Sequence, residues 1–422
     1  MPALIQPDSL RFAGLVRSGD LVACGQGTAE PLTLSRRLVA QKDEIGPFSV
    51  FVGVTFSETF APAQTDGISF TSFGAMGKCA ALAKAGRLDI LPLRYSRLYE
   101  AFASGALRAD VVLLQLAVDD RLGYSLSLAN DYVALAARHA RVVIAEVNPH
   151  APWTHGAELP PDIRLDVLVA ADTPPQEVAL PSFGEAEQKI AAYIAELIPD
   201  GACLQFGIGV IPAAALSCLR GHRDLGIHSG AITDGIIELI ENGVITNARK
   251  SADQGIIVTN TVLGSRRLFD YVHRNPKVQV RPTSYTHSYD VVRSMGNFRA
   301  INSAIEVDLT GQINAEVAGN AYVGGIGGQV DFVTGALAAE GGRSIIALPA
   351  TARGGTSSRI VSRLHTVTTP RSDADLVVTE YGIADLRNAT LEERATRLIA
   401  IAAPQVRDDL TREWRIGGGR KA

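Results

Sequence analysis

Two stretches decide the fold. One is Gly19-Asp-Leu-Val-Ala-Cys-Gly25-Gln-Gly27, followed by Pro31 and Leu38; the other is Gly201-Ala-Cys-Leu-Gln-Phe-Gly207-Ile-Gly209, followed by Pro212 and Leu219. Each reads as an apolar strand, a Gly-x-Gly turn and a helix with proline in its first turn, where a missing N–H costs nothing. The glycines are spaced identically, and each proline precedes its leucine by the same interval. After each helix comes another strand ending in glycine, Ser49–Gly53 in the first half and Leu225–Gly230 in the second. The chain therefore reads as two similar α/β domains, with Gly53 the counterpart of Gly230. Chance agreement of two strand–helix units is the plainer alternative.

The pattern extends outward. Leu21–Cys24, Val50–Val54, Val111–Leu116, Arg141–Val147, Leu165–Ala170, Ile256–Asn260, Ser344–Leu348 and Leu376–Thr379 read as buried strands. Pro31–Gln41, Gln188–Ile198, Pro212–Leu219 and Leu391–Ile401 read as helices. Such alternation predicts open α/β domains with largely parallel sheets, related by a pseudo-twofold duplication. The Pro-rich Asp172–Ser182 reads as a linker, dividing the chain into domains 1–180 and 181–422. The Gly-rich, basic stretch Arg415–Ala422 reads as a loose tail.

Composition narrows the function classes. The 422 residues carry 40 basic and 44 acidic side chains, a balance that argues against a nucleic-acid binder. The apolar runs are too short for a membrane span, and the N-terminus shows no secretory signal. The four cysteines form no CxxC pair, so a reducing cytoplasm is the expected setting, with neither a disulfide framework nor a zinc site. The eight histidines show no HxxxH or HExxH spacing, and no bound metal is expected. No GxxxxGK[ST] phosphate loop occurs.

Several residues could carry chemistry. Gly324-Gly325-Ile326-Gly327-Gly328-Gln329 would let the backbone approach a ligand and offer N–H groups to an anion. His228 lies at a strand end in Gly226-Ile-His-Ser-Gly230 and reads more simply as a hydrogen-bonded structural residue than as an acid or base. Glutamate can act as a covalent nucleophile. Glu58 sits between Phe56 and Phe60, which would dehydrate it and raise its reactivity. Glu316 lies in a turn-rich segment, and Glu380 follows the strand Leu376–Thr379. Taken singly, each glutamate reads more simply as a solvated or salt-bridged residue.

The motifs gain force together. Gly207-Ile-Gly-Val-Ile-Pro212, Asp224-Leu-Gly-Ile-His-Ser229, Asp234-Gly235, Ile301–Gln312, Gly324–Phe332 and Val377–Arg387 follow in that order. Over about residues 185–405 the chain resembles the acetyl-CoA hydrolase/transferase family, which includes 4-hydroxybutyrate, succinyl-CoA:acetate and itaconate CoA-transferases; the likeness is weaker at Ser18–Pro31, Asp119–Tyr124 and Val147–Gly156. The resemblance implies transfer of CoA from an acyl-CoA, such as succinyl-CoA or acetyl-CoA, to a free short-chain carboxylic or dicarboxylic acid. It implies ping-pong catalysis through a glutamyl-CoA thioester. It also implies no bound cofactor, with the CoA thioester as substrate, and a homodimer or higher homo-oligomer. The family likeness assigns thioester and oxyanion binding to Gly325, Gly327, Gly328, Gly207 and Gly209, and a second active-site glutamate to Glu380.

One departure matters most. Where family transferases carry His-Thr-Glu or His-Ser-Glu, this chain has His228-Ser229-Gly230. Glycine cannot attack a thioester. Three readings follow: an inactive acyl-CoA-binding chain, a hydrolase that uses water, or a nucleophile placed elsewhere. The duplication favours Glu58, beyond Gly53, with Lys78 as a cation that could steady it; Glu316 is the alternative nucleophile. The substrate pocket is expected at His228, Ser229, Gly230 and Ser288, the last standing where relatives commonly have Asn-Pro or Asp-Pro. Arg94, Arg97, Arg359 and Arg371 could meet an acid substrate but read more simply as surface or structural residues.

Overall fold

The computed structural model describes residues 2–416. Each apolar run singled out above forms a strand, because each is covered on both faces; Val142–Val147, for instance, is buried at every position. The first half builds one sheet from Leu4–Ile5 (β1), Leu21–Cys24 (β2), Phe48–Phe51 (β3), Ile68–Ser72 (β4), Leu88–Ile90 (β5), Val111–Asp119 (β6), Gly123–Ser125 (β7), Val142–Val147 (β8) and Val167–Ala170 (β9). Its order is β1-β9-β8-β6-β2-β3-β4-β5, with β7 antiparallel on β6. The second half builds another sheet from Cys203–Phe206 (β10), Gly226–Ile232 (β11), Ile257–Val262 (β12), Val278–Val280 (β13) and Phe298–Ser303 (β14), extended by Arg343–Ala347, Leu376–Thr379 and Gly382–Asp385. Its order is β13-β12-β11-β10-β14, then those three in sequence.

The two sheets share one topology. In both, the Gly-x-Gly strand lies mid-sheet, the next three strands run outward on one side, and later strands run outward on the other. Strand register extends the match. Leu21 pairs with Ser49, and its counterpart Cys203 pairs with Gly226, which aligns Gly53 with Gly230. The strand expected over Val50–Val54 ends earlier, at Phe51, because the chain turns aside to meet Gln26, whose Oε1 accepts from the Val54 amide at 3.0 Å. Phe51 packs edge-on against Phe102 and Tyr132, with centroids 5.2 and 5.1 Å apart.

Backbone contacts hold the halves together. The Ala75 amide donates to the Gly324 carbonyl at 2.7 Å, and the Tyr95 amide to the Gly327 carbonyl at 2.8 Å. Ser96 donates its backbone N–H and its hydroxyl to the buried Asp331 carboxylate. Glycine is required at this seam: a Cβ on Gly74 would lie 2.8 Å from the Gly324 carbonyl oxygen and 3.0 Å from the Gly325 Cα; within the second half, a Cβ on Gly324 would lie 2.1 Å from the Ala315 carbonyl oxygen. Elsewhere, Asn130 and Asn260 exchange hydrogen bonds between the halves.

The Pro-rich linker spans the surface, pinned where the Val178 amide donates to the Gly264 carbonyl at 3.0 Å. The stretch read as a tail begins inside a helix, Arg407–Ile416, so Arg415 is helical; residues 417–422 lie outside the described residues. Among the described residues, no helix is long and apolar enough to cross a membrane, and no group of three or more His, Cys, Asp or Glu could hold a metal.

Two predictions follow from this packing. Gly74→Ala, which drives a methyl group against the Gly324 carbonyl and the Gly325 Cα across the seam, should destabilise the protein by about 1–3 kcal/mol; a thermal midpoint equal to that of the native chain would contradict the seam described here. The second concerns Glu146, buried in β8, whose Oε2 accepts from the Leu34 amide while Oε1 has no partner among the described residues. Burial pushes its carboxyl up to about 8, so the folded state keeps a proton that the unfolded chain releases in the ordinary glutamate range. This contribution to stability is full below that range and is lost as pH rises to about 8. Glu146→Gln should therefore gain in thermal midpoint relative to the native chain between about pH 5 and about pH 8.5; a difference that stays constant across that interval would refute the assignment.

Candidate active site

The C-terminal ends of the central strands of both sheets converge on a cavity of about 450 Å³. This is where open α/β sheets place ligands. The first half contributes Gln26 and Gly27 after β2, Val54 and Phe56 after β3, and Phe73 after β4. The second contributes Phe206–Ile208 after β10, Gly230 and Ala231 from β11, and Asn302–Ile305 around the end of β14. The loop Gly324–Gly328 forms one wall and leads into the helix Gln329–Ala338. The Gly327 amide faces the Leu93 carbonyl in a parallel bridge with Arg94, whereas the Gly328 amide has no hydrogen-bond acceptor among the described residues. A free N–H group at a helix N-terminus suits an oxygen that gains negative charge.

The site residues expected from sequence divide. Gly207, Gly230, Gly325, Gly327 and Gly328 line the cavity, whereas Gly209 borders an adjoining cleft. His228 and Ser229 lie behind the wall rather than in it. The His228 Nε2–H donates to the Thr286 carbonyl at 2.9 Å, and Ser229 bonds to the Phe206 backbone. Ser288 caps the helix Tyr289–Arg293 through the Val291 amide and does not line the cavity.

The three glutamates have different settings. Glu316 is buried, and its carboxylate accepts from the Tyr322 hydroxyl and from Thr368 Oγ1, while its carbonyl accepts from the Val323 and Gly324 amides. It braces the glycine loop from beneath. Glu380 accepts from the Ala350 amide at 2.8 Å and is not among the cavity residues. Glu58 does not have the dehydrated setting expected from its flanking phenylalanines. Phe60 turns into the core beside Phe70 and Phe56 turns into the cavity, leaving the Glu58 side chain 68% exposed and ion-paired with Lys78. Neither Glu58 nor Lys78 lines the cavity, although Phe56 and Gly77, their close neighbours in the chain, do.

Sequence reading missed the residues that shape this region. Glu30 is fully buried and receives hydroxyl hydrogen bonds from Ser35, Thr55 and Ser57, which fasten the segment carrying Glu58. Burial raises its carboxyl despite those bonds. His287 fills the space beside Gly230: a Cβ there would lie 3.0 Å from His287 Nε2. The imidazole packs 4.7 Å from the Phe332 ring and 5.0 Å from Tyr95, with Nδ1 2.9 Å from Thr286 Oγ1. Burial, then the neighbouring His228, pulls its pKa down to about 3, so the ring is neutral at physiological pH. Gln26 donates to Tyr95 and Asp131, and its bulk accounts for Gly53, where a Cβ would meet Gln26 Oε1 at 2.0 Å.

Comparison with known proteins places this architecture. Residues 7–169 match the acetyl-CoA hydrolase/transferase N-terminal domain and residues 264–414 the C-terminal domain of the same family. The chain is 38% identical to a 4-hydroxybutyrate coenzyme A transferase of Clostridium kluyveri, covering 93% of each chain. It is 34% identical to a succinyl-CoA:cyclohexane-1-carboxylate CoA transferase of Geobacter metallireducens, covering 94% of this chain and 92% of the relative. The crystal structure of RipA from Yersinia pestis superposes with a TM-score of 0.91 at 32% identity, covering 98% of this chain and 97% of that one. With both halves matched and the whole fold shared, the chain belongs to the acetyl-CoA hydrolase/transferase family.

Proposed function

We propose that this protein transfers coenzyme A between an acyl-CoA and a free short-chain carboxylic acid, with Glu58 as the nucleophile. The carrying observation is a cavity between the halves, walled by the glycine loop with its unpaired Gly328 amide and lined by Phe56, two residues before the exposed Glu58 carboxylate. The family relationship supports CoA transfer as the reaction.

The steps balance as follows. The Glu58 carboxylate oxygen attacks the thioester carbonyl, and CoA thiolate leaves to give a mixed anhydride. The thiolate then attacks the glutamyl carbonyl, releasing the donor's carboxylate and leaving a glutamyl-CoA thioester. The acceptor carboxylate attacks that thioester and expels the thiolate, which returns to the acceptor's acyl carbon and frees Glu58. Dividing the exchange in this way is nucleophilic catalysis. The Gly328 amide is available to take the oxyanion charge of each tetrahedral stage, an effect commonly worth about 10²–10³ in rate per donor.

Among the glutamates, Glu58 is favoured because the others are committed. Glu30 and Glu316 are buried in hydroxyl hydrogen bonds, and Glu380 holds a backbone amide outside the cavity. Lys78 supports an ionised, attacking Glu58. The water-using alternative is less well supplied, since His287, the histidine lining the cavity, is pulled down to about 3 and makes a weak base.

Incubation with acetyl-CoA should add one CoA to the intact mass of the native chain and not to Glu58→Gln. The variant should also lose at least about 10³-fold in exchange rate while keeping its thermal midpoint. An adduct on both proteins would displace Glu58 from this role. Free CoA released with no adduct and no stimulation by added acid would favour hydrolysis.

A further inference from the structure

The main cavity opens into a second cleft of about 210 Å³. The two share Phe56, Phe206, Gly207, Ile208, Ala231 and Leu263. Beyond that neck, Pro212, Ala213 and Leu216 of the helix Val210–Ser217 form one wall and Ile236 of the helix Gly235–Glu241 another. Leu180 and Pro181 lie across the cleft. The stretch that reads in sequence as a linker therefore also forms part of a binding surface. Ile208 and Leu180 leave 51% and 47% of their surface exposed there, large apolar side chains with no protein packed over them.

Among the described residues, no Asp, Glu, Lys or Arg lines the cavity or the side cleft. Of the arginines singled out in sequence, Arg94 pairs with Asp331 and Arg97 with Glu100, while Arg359, whose Nε has no partner among the described residues, and Arg371 line neither space. The amide side chains Gln26, Gln205, Asn260, Asn302 and Gln329 line the main cavity, whereas among the described residues Thr233 is the one polar side chain lining the side cleft. The amide-bearing arm of CoA therefore suits the main cavity better than the side cleft. A carboxylate carried into the side cleft would lose its hydration and find no cation.

From this arrangement, and resting on the CoA-transfer reading above, we infer that the side cleft holds the tail of the acyl group. The acids served are monocarboxylic, with alkyl or alicyclic tails, rather than dicarboxylic. The physical basis is burial of hydrocarbon against hydrocarbon, about fourfold in affinity per methylene removed from water.

The test uses the full chain in two independent measurements. Calorimetric binding of acetyl-, butyryl-, hexanoyl- and succinyl-CoA should show affinity rising about fourfold per methylene along the first three, with succinyl-CoA weaker than butyryl-CoA. CoA exchange into acetate, butyrate, hexanoate, cyclohexanecarboxylate and succinate should follow the same order, the cyclic acid ranking with hexanoate. Ala213→Phe, which fills the cleft, should cut the hexanoyl-to-acetyl preference at least about tenfold. Leu180→Trp, altered from the surface, provides a second variant should the first fail to fold. Succinyl-CoA binding as tightly as hexanoyl-CoA would overturn the inference. So would variants that weaken acetyl- and hexanoyl-CoA equally, since that would place the CoA arm in the cleft. A chain-length preference in binding with no acid-dependent exchange would sink the CoA-transfer reading and leave the cleft standing. Exchange with no chain-length preference would do the reverse.

Discussion

The structure depends on a contact between two backbones. Gly74 in the first half meets Gly324 and Gly325 in the second so closely that no side chain fits between them. Hydrogen bonds from the Ala75 and Tyr95 amides then fix the glycine loop from across the seam. The contact brings the strand ends of both sheets to face one cavity. It also occupies the loop's carbonyls at Gly324 and Gly327 and pairs the Gly327 backbone with Arg94, leaving the Gly328 amide with no acceptor among the described residues. Close approach and an unpaired donor are thus two results of one steric condition.

Charge is distributed around that cavity with equal consequence. Carboxylates lie beneath its walls: Glu30 ties down Thr55 and Ser57, Glu316 braces the loop, and Asp331 receives Ser96 from the other half. Their hydrogen bonds repay desolvation that would otherwise disfavour burying them. Among the described residues the lining itself is uncharged, and the exposed Glu58–Lys78 ion pair follows closely in the chain on the lining residues Phe56 and Gly77. Amide and hydroxyl side chains line the main cavity beside its apolar ones, and the side cleft that shares its neck is almost wholly apolar.

His287 shows how local identity and distant packing combine. In family terms the missing carboxylate at Gly230 is a deletion of chemistry. In space it is a substitution, since the imidazole of a different segment takes the room that a side chain at residue 230 would need. Burial holds that imidazole neutral, so it closes the wall without adding charge. Gln26 stands in the same relation to Gly53 in the first half, which makes the two glycines equivalent in packing as well as in register.

The sequence by itself determined the doubly built α/β frame, because strand, Gly-x-Gly turn and helix are set by neighbouring residues, and their repetition at Gly25 and Gly207 is visible along the chain. It also marked the glycine loop and the equivalence of Gly53 with Gly230, both matters of spacing. Tertiary structure alone decided how each candidate side chain is used. Phe56 and Phe60 flank Glu58 in sequence yet turn away from it, one into the cavity and one into the core, so adjacency in the chain said nothing about its solvation. Glu30, unmarked in sequence, became the buried anchor of that segment, and a Pro-rich linker became the roof of a cleft. Solvation and reach depend on what arrives from elsewhere in the fold, and residues distant in sequence, such as His287 beside Gly230, carry no local signal of meeting.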